Sequence, residues 1–136
     1  MSRKFELTED SIIHEGKTLY RIKALKDFWN VRQGQLGGYI EKEENLDQDG
    51  NAWVADNARV FGDAKVFGDA KVSGDAKVSG NAWVFDDAEV SGKARVSGDA
   101  RVFGNAWVFG DAEVLGDARV SGNADVSKPT HLIQVT

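Results

Sequence analysis

The sequence predicts an all-β protein in which short strands wind into a triangular parallel coil, preceded by a small N-terminal β cap. Valine recurs at every sixth position from Val54 to Val126, and alanine keeps the same interval from Ala52 to Ala124, thirteen times each without a miss. A glycine followed by aspartate or asparagine separates most of these pairs. A strict short period of this kind is typical of a solenoid, in which each repeat packs only on its neighbours.

Each six-residue unit predicts one short strand and one bend. In Ala70, Lys71 and Val72, two apolar residues flank a charged one, which is the period of a strand with Ala and Val pointing inward. Gly74 then supplies a backbone that tolerates positive φ, and Asp75 suits the corner. Three such sides close most simply into a coil of 18 residues. Residues 50–127 therefore predict about four coils, stacked about 4.8 Å apart.

The unit at 66–71, VFGDAK, resembles the hexapeptide repeat of left-handed parallel β-helices. This resemblance covers residues 50–127 and implies a left-handed coil with the aliphatic and the small residue inside the prism. The stretch 20–46, which leads into GNAWV at 50–54, is similar to the leading segment of YdcK-like hexapeptide-repeat proteins of bacterial and phage type. The resemblance implies the architecture of that family.

Residues 1–49 lack the repeat and predict a β cap with a tight turn at 14–17. Four strands are expected there, at 5–8, 12–13, 19–22 and 36–40. The charged run 41–44 is interpreted as a solvated connection. We expect the cap to cover the first coil, whose free backbone edge would otherwise pair with other chains. Pro129 breaks the rhythm, so residues 128–136 are expected to form a tail, as a last strand or as an arm exchanged between chains.

Composition and charge disfavour several classes of function. The chain of 136 residues carries 17 Lys and Arg against 22 Asp and Glu, a net charge of −5, which argues against general binding to duplex DNA. The absence of cysteine excludes disulfides, thiolate chemistry and Cys-ligated metals. No apolar run approaches the roughly 18 residues of a membrane span, and the first residues do not resemble a signal peptide. We therefore expect a cytoplasmic protein without a membrane partner.

Acyltransferases and γ-type carbonic anhydrases use the same β-helix, so the sequence must be compared with what their catalysis requires. The former depend on a basic histidine, and the latter need three histidines around a metal ion. Only His14 and His131 are present, and both lie outside the perfect repeats. A zinc-bound water cannot be assembled from this set in one subunit. We predict no enzyme activity, no catalytic residue, no metal site and no cofactor, with a degenerate acyltransferase as the alternative.

Corner residues form acidic ladders when the chain is wrapped at 18, for example Asp69 beside Asp87. Such a pair could hold a calcium ion between coils. Aspartate and asparagine more commonly accept hydrogen bonds from turn amides, so we favour that interpretation and leave the other open.

Outward positions on either side of each inward Val fall onto three faces of the prism. The third face stacks Phe67, Phe85 and Phe103 in one ladder, beside Trp83. Contiguous exposed aromatic residues usually mark an interface. We predict that these four residues form the interface of a homo-oligomer, a trimer. Cross-strand stabilisation within one chain is the simpler alternative.

The same wrap places Trp83 between Lys65 and Arg101, which suggests a site for a flat anionic ligand of nucleotide type. The leading hypothesis is a non-enzymatic oligomeric binding protein that engages a protein partner or sequesters such a ligand. A phage-type inhibitor of a host factor would fit this class. The alternative is a structural module that assembles by stacking of β-helices.

Overall fold

The computed structural model describes residues 3–128 and the backbone of Gln134–Val135. It begins with β1 (Phe5–His14), β2 (Lys17–Ala24), β3 (Leu36–Ile40) and a 3₁₀ turn at Glu43–Asn45. The last strand is β17 (Gln134–Val135). In this part of the chain no helix is long and apolar enough to cross a membrane. Between the 3₁₀ turn and β17 lie thirteen two-residue strands, β4 to β16: Trp53–Val54, Arg59–Val60, Lys65–Val66, Lys71–Val72, Lys77–Val78, Trp83–Val84, Glu89–Val90, Arg95–Val96, Arg101–Val102, Trp107–Val108, Glu113–Val114, Arg119–Val120 and Asp125–Val126.

The short strands build three parallel sheets, because every third strand returns to the same side of the coil. The first face holds β4, β7, β10, β13 and β16, the second β5, β8, β11 and β14, and the third β6, β9, β12 and β15. Amides of one coil donate to carbonyls of the next, as Phe67 does to Val84 at 3.0 Å. The fold is a parallel β-solenoid of about five turns with a spacing of about 18 residues, which confirms the predicted class. The left hand of the coil stays a prediction.

The interior of the solenoid consists of the valines and alanines that the repeat places inward. All thirteen of each are buried, with relative exposures between 0% and 7%. Fully burying one valine side chain stabilises a fold by about 1.5–3 kcal/mol, so the core is thin but uninterrupted. The predicted inward positions are confirmed in every repeat.

The N-terminal segment packs against the outside of the first coil. β1 and β2 form an antiparallel hairpin, and its tight turn at Glu15 and Gly16 has φ of 51° and 78°. Phe61 packs with residues of this hairpin, and the Phe28 ring meets Trp53 edge-on at 5.3 Å. Phe61 and Trp53 point outward on the wrap, yet they are only 5% and 2% exposed. The cap therefore hides two aromatic residues that the repeat alone would leave in water.

The chain passes from the cap into the solenoid at β3, which pairs antiparallel with β2 and parallel with β5. Two glycines allow this close approach. A Cβ on Gly37 would lie 2.5 Å from the carbonyl oxygen of Val54, and Gly38 is equally crowded. Further along, Leu46 forms a parallel bridge with Val66. Residues before position 50 thus supply part of an additional coil, which raises the expected four turns to about five.

Lys4 closes the lower end of the solenoid and is fully buried. Its Nζ donates to the carbonyls of Asp49, Gly50 and Ala52 at 3.4, 3.3 and 2.7 Å. Carbonyls of the lowest coil have no coil beneath them, and a buried carbonyl without a donor is costly. Burial lowers the pKa of Lys4 to about 8, with the charge of Asp47 partly opposing the shift.

The tail returns to the third face. β17 pairs parallel with β15 of the same chain, as the last-strand alternative expects. Pro129 and His131 lie outside the described residues.

Candidate functional site

The third face carries an aromatic ladder, defined as Phe67, Phe85 and Phe103. The rings of Phe67 and Phe85 are 4.9 Å apart with planes at 1°, and those of Phe85 and Phe103 are 5.0 Å apart at 5°. Trp83 stands edge-on to this stack, 5.7 Å from Phe67 and 6.4 Å from Phe85. All four side chains are half-buried. The structure brings the four predicted interface residues into one cluster, and their role as an interface stays a prediction.

Trp83 lies between two cations, as the 18-residue periodicity predicts. Lys65 and Arg101 are its direct neighbours on β6 and β12. The guanidinium carbon of Arg101 is 4.2 Å from the centre of the indole ring, which is a cation–π contact. The Lys65 side chain is exposed. Arg101 thus covers one surface of Trp83 that a flat ligand would otherwise use.

A groove of about 680 Å³ runs between the 3₁₀ turn and the start of the aromatic ladder. Its apolar lining is Leu46, Val66, Phe67 and Trp83. Glu43, at its rim, is paired with Arg3. The groove includes the predicted ligand residues Lys65 and Trp83 but not Arg101. Carboxylates outnumber amines at its polar rim, which consists of Glu43, Glu44, Asp47, Gln48 and Lys65.

The second face carries a cation ladder, defined as Arg59, Lys77 and Arg95, on β5, β8 and β11. The hairpin turn brings His14 beside it, with its Nδ1 3.0 Å from Nη1 of Arg59 and its Nε2 3.0 Å from a carboxylate oxygen of Glu15. Burial, and then the charge of Arg59, lower the pKa of His14 below its usual 6.5. His14 is therefore neutral near pH 7 and accepts from Arg59 through Nδ1.

The cation ladder is visible in the sequence only as three basic residues at intervals of 18. The repeat by itself gives no reason to prefer it over the other faces. The contact between His14 and Arg59 joins positions 45 apart, and no local pattern marks it.

Corner carboxylates accept hydrogen bonds from the backbone of an adjacent coil. Asp56 and Asp86 take the place of the usual glycine, both with φ of 58°, and they accept from the amides of Gly74 and Gly104 at 3.0 and 3.1 Å. Asp69 accepts from an amide of the preceding coil at 3.3 Å. Among the described residues no group of three or more His, Asp or Glu side chains is placed to hold a metal ion. The geometry at these corners is that of turn stabilisation.

One stretch of the repeats matches a known family model. The family model named YdcK beta solenoid repeat matches residues 94–110, a stretch that runs from β11 to β13. No curated protein matches the chain. Together, this match and the parallel solenoid support the similarity of the chain to YdcK-like β-solenoid repeat proteins. Its bacterial or phage origin stays a prediction.

Proposed function

We propose that this protein acts by binding and not by catalysis, and that it does so as a homo-oligomer joined through the third face. The observation that carries the proposal is the aromatic ladder, in which three phenylalanine rings stack within 5° of parallel along one face. Together with Trp83 they form a contiguous aromatic patch, and such patches usually mark interfaces.

A second copy of the chain is the partner that this surface fits best. The ring spacing of 4.9 to 5.0 Å follows the stacking of the coils, so a matching surface must repeat at the same interval. Another copy of the chain has the same aromatic ladder with the same spacing, and most homo-oligomers have closed symmetry. Three prisms that each turn one flat face toward a common axis give the expected trimer.

The proposal includes a further ligand or protein partner held beside that interface. The groove of about 680 Å³ supports it, because Phe67, Trp83 and Lys65 all line this cavity. An anionic ligand of nucleotide type would pair with Lys65 in this groove and with Arg101 beyond it, against the opposing charge of the carboxylates at the rim. A neighbouring copy packed on the ladder would strengthen such contacts by excluding water.

Light scattering after size-exclusion chromatography tests the oligomer. We expect a particle of three times the 14.8 kDa of one chain, and we expect Phe85→Asp to dissociate it. The β-sheet circular dichroism should persist in the variant, because the inward Val84 and Ala88 are untouched. Phe109→Asp is the matched control, since Phe109 lies on the first face, where its ring centre is 4.5 Å from that of Trp107 with the planes tilted by 34°.

Three outcomes would contradict the proposal: a monomeric wild type at tens of micromolar, an unchanged mass for Phe85→Asp, or equal dissociation by Phe109→Asp. An open series of masses in place of one closed particle would favour the stacking module. Binding of an acyl donor would favour the degenerate transferase.

A further inference from the structure

The cation ladder on the second face places three positive side chains directly above one another. Arg59 is the register partner of Lys77, and Lys77 is the partner of Arg95, about 4.8 Å apart along the axis. Like charges directly opposite each other on neighbouring strands destabilise a sheet. The ladder is therefore unfavourable for the fold by itself.

The other faces largely avoid this arrangement. On the first face Lys71 lies opposite Glu89, and the next neighbours on either side of this pair are Trp53 and Trp107. On the third face Trp83 separates Lys65 from Arg101, and among the described side chains the like neighbours there are Arg101 and Arg119. A run of three cations is peculiar to the second face among the described coils.

Ion pairs do not neutralise the ladder within the described part of the chain, although Glu113 is the register partner of Arg95 at its upper end. Lys77 and Arg95 form no ion pair there. Arg59 contacts His14, which is neutral near pH 7, and its Nε is buried without a hydrogen-bond partner in that part of the chain. Positive charge thus persists along the ladder although the whole chain is acidic, with a net charge of −5.

Grooves on both sides give the ladder room for a ligand. One, of about 280 Å³, places the hydroxyls of Ser79 and Ser97 beside Lys77 and Arg95, and the carboxylates of Glu15 and Glu113 also line it. The other, of about 300 Å³, adds Lys93, with Asp75 as its one carboxylate. Acidic residues mark the two ends of the ladder: Glu113 follows Arg95 in register, and Glu15 sits beside His14. The positive stretch is thereby limited to about 10 Å, two coil spacings.

We propose that the cation ladder binds an oligophosphate, a short chain of linked phosphate groups. Arginine pairs bidentately with phosphate oxygens, lysine adds a point charge, and serine hydroxyls donate to the remaining oxygens. A single small anion would leave part of the ladder unneutralised, whereas linked phosphates present several charges over the same short length. Free polyphosphate and the phosphate chain of a nucleotide share this chemistry. The site lies on a different face from the proposed oligomer interface and does not depend on it.

Calorimetry on the full chain at low salt tests the site with inorganic tripolyphosphate, orthophosphate and a nucleoside triphosphate. We expect tripolyphosphate to bind at least about tenfold more tightly than orthophosphate, the equivalent of one charge-assisted hydrogen bond. Lys77→Gln and Arg95→Gln should each weaken this binding by a similar factor. Arg119→Gln, the same change of charge at the same repeat position on the third face, should leave it unaltered.

The nucleoside triphosphate distinguishes free polyphosphate from a nucleotide as the source of the phosphate chain. Equal affinity for tripolyphosphate and the nucleoside triphosphate indicates that the phosphates alone are recognised. Tighter binding of the triphosphate that Lys77→Gln removes indicates a nucleotide. Absence of tripolyphosphate binding, an affinity no better than that for orthophosphate, or equal binding by both second-face variants and the wild type would overturn the proposal. Circular dichroism of each variant verifies that the solenoid is intact.

Discussion

Lys4 gives the fold a pH dependence that one substitution can isolate. Its ammonium group is fully buried against the carbonyls of the lowest coil, and burial lowers its pKa from 10.5 to about 8. The unfolded chain keeps this proton up to about pH 10.5, whereas the folded protein loses it above about pH 8. Between these values the unfolded state binds more protons, so the free energy of unfolding should rise with pH.

The magnitude follows from the difference between the two pKa values. One pKa unit corresponds to about 1.36 kcal/mol. Raising the pH from below about 8 to above 10.5 should therefore increase the free energy of unfolding by about 3 kcal/mol. About 2 kcal/mol of this should be present by about pH 9.5. Below about pH 8 the contribution vanishes, because Lys4 is then charged in both states.

Urea unfolding of the wild type and of Lys4→Met, at one protein concentration, at pH 7 and at about pH 9.5, measures this effect. Methionine fills a similar volume without a charge, and all other titrating groups are common to both proteins. The wild type should gain about 2 kcal/mol more than the variant between the two pH values. Equal pH dependence in the two proteins would refute this account of Lys4, whichever of them is more stable at pH 7.

Two further predictions concern the repeat and the third face. Deleting residues 72–89 should leave a folded, shorter protein, because one whole coil is removed and every later residue keeps its face. Deleting only 84–89 moves all later outward residues to a different face and should lower solubility and the melting temperature. Equal solubility and melting temperature of the two deletions would show that the identity of the faces is unimportant. Calorimetry with mono-, di- and cyclic nucleotides should reveal binding with a Kd below about 100 μM, and Trp83→Ala should abolish it. If no nucleotide binds, or if Trp83→Ala binds as well as the wild type, the contact of Arg101 with Trp83 serves packing only.

The solenoid could be predicted from the sequence because its determinants are local. Ala and Val two positions apart define which side of a strand is buried, and the Gly and Asp that follow define the bend. The interval of 18 then predicts which residues become neighbours. The register confirms this for Lys65, Trp83 and Arg101, and the ring stacking confirms it for the aromatic ladder.

Contacts between the cap and the solenoid could not be predicted in the same way. Trp53 and Phe61 are buried by segments that lie more than 20 residues earlier in the chain, and nothing in their own repeats distinguishes them from exposed positions. Lys4 gives no local sign of burial either, because the carbonyls that it binds follow 45 to 48 positions later. Such contacts depend on where the hairpin docks, which the repeat pattern does not specify.

The residue type varies at the outward position after each inward valine, whereas the core residues stay the same. The faces of the solenoid are therefore more informative about function than the core. Serine occupies this position in six of the thirteen repeats and phenylalanine in five, while the buried Ala and Val remain the same. The solenoid therefore forms with either residue, and it does not require phenylalanine at 67, 85 and 103. Serine at 79 and 97 on the second face likewise leaves the cation ladder accessible beside small hydroxyls. Because packing of the core is satisfied in both cases, the core does not require aromatic residues clustered on one face or cations on another, and this is why we propose a binding role for each of these two faces.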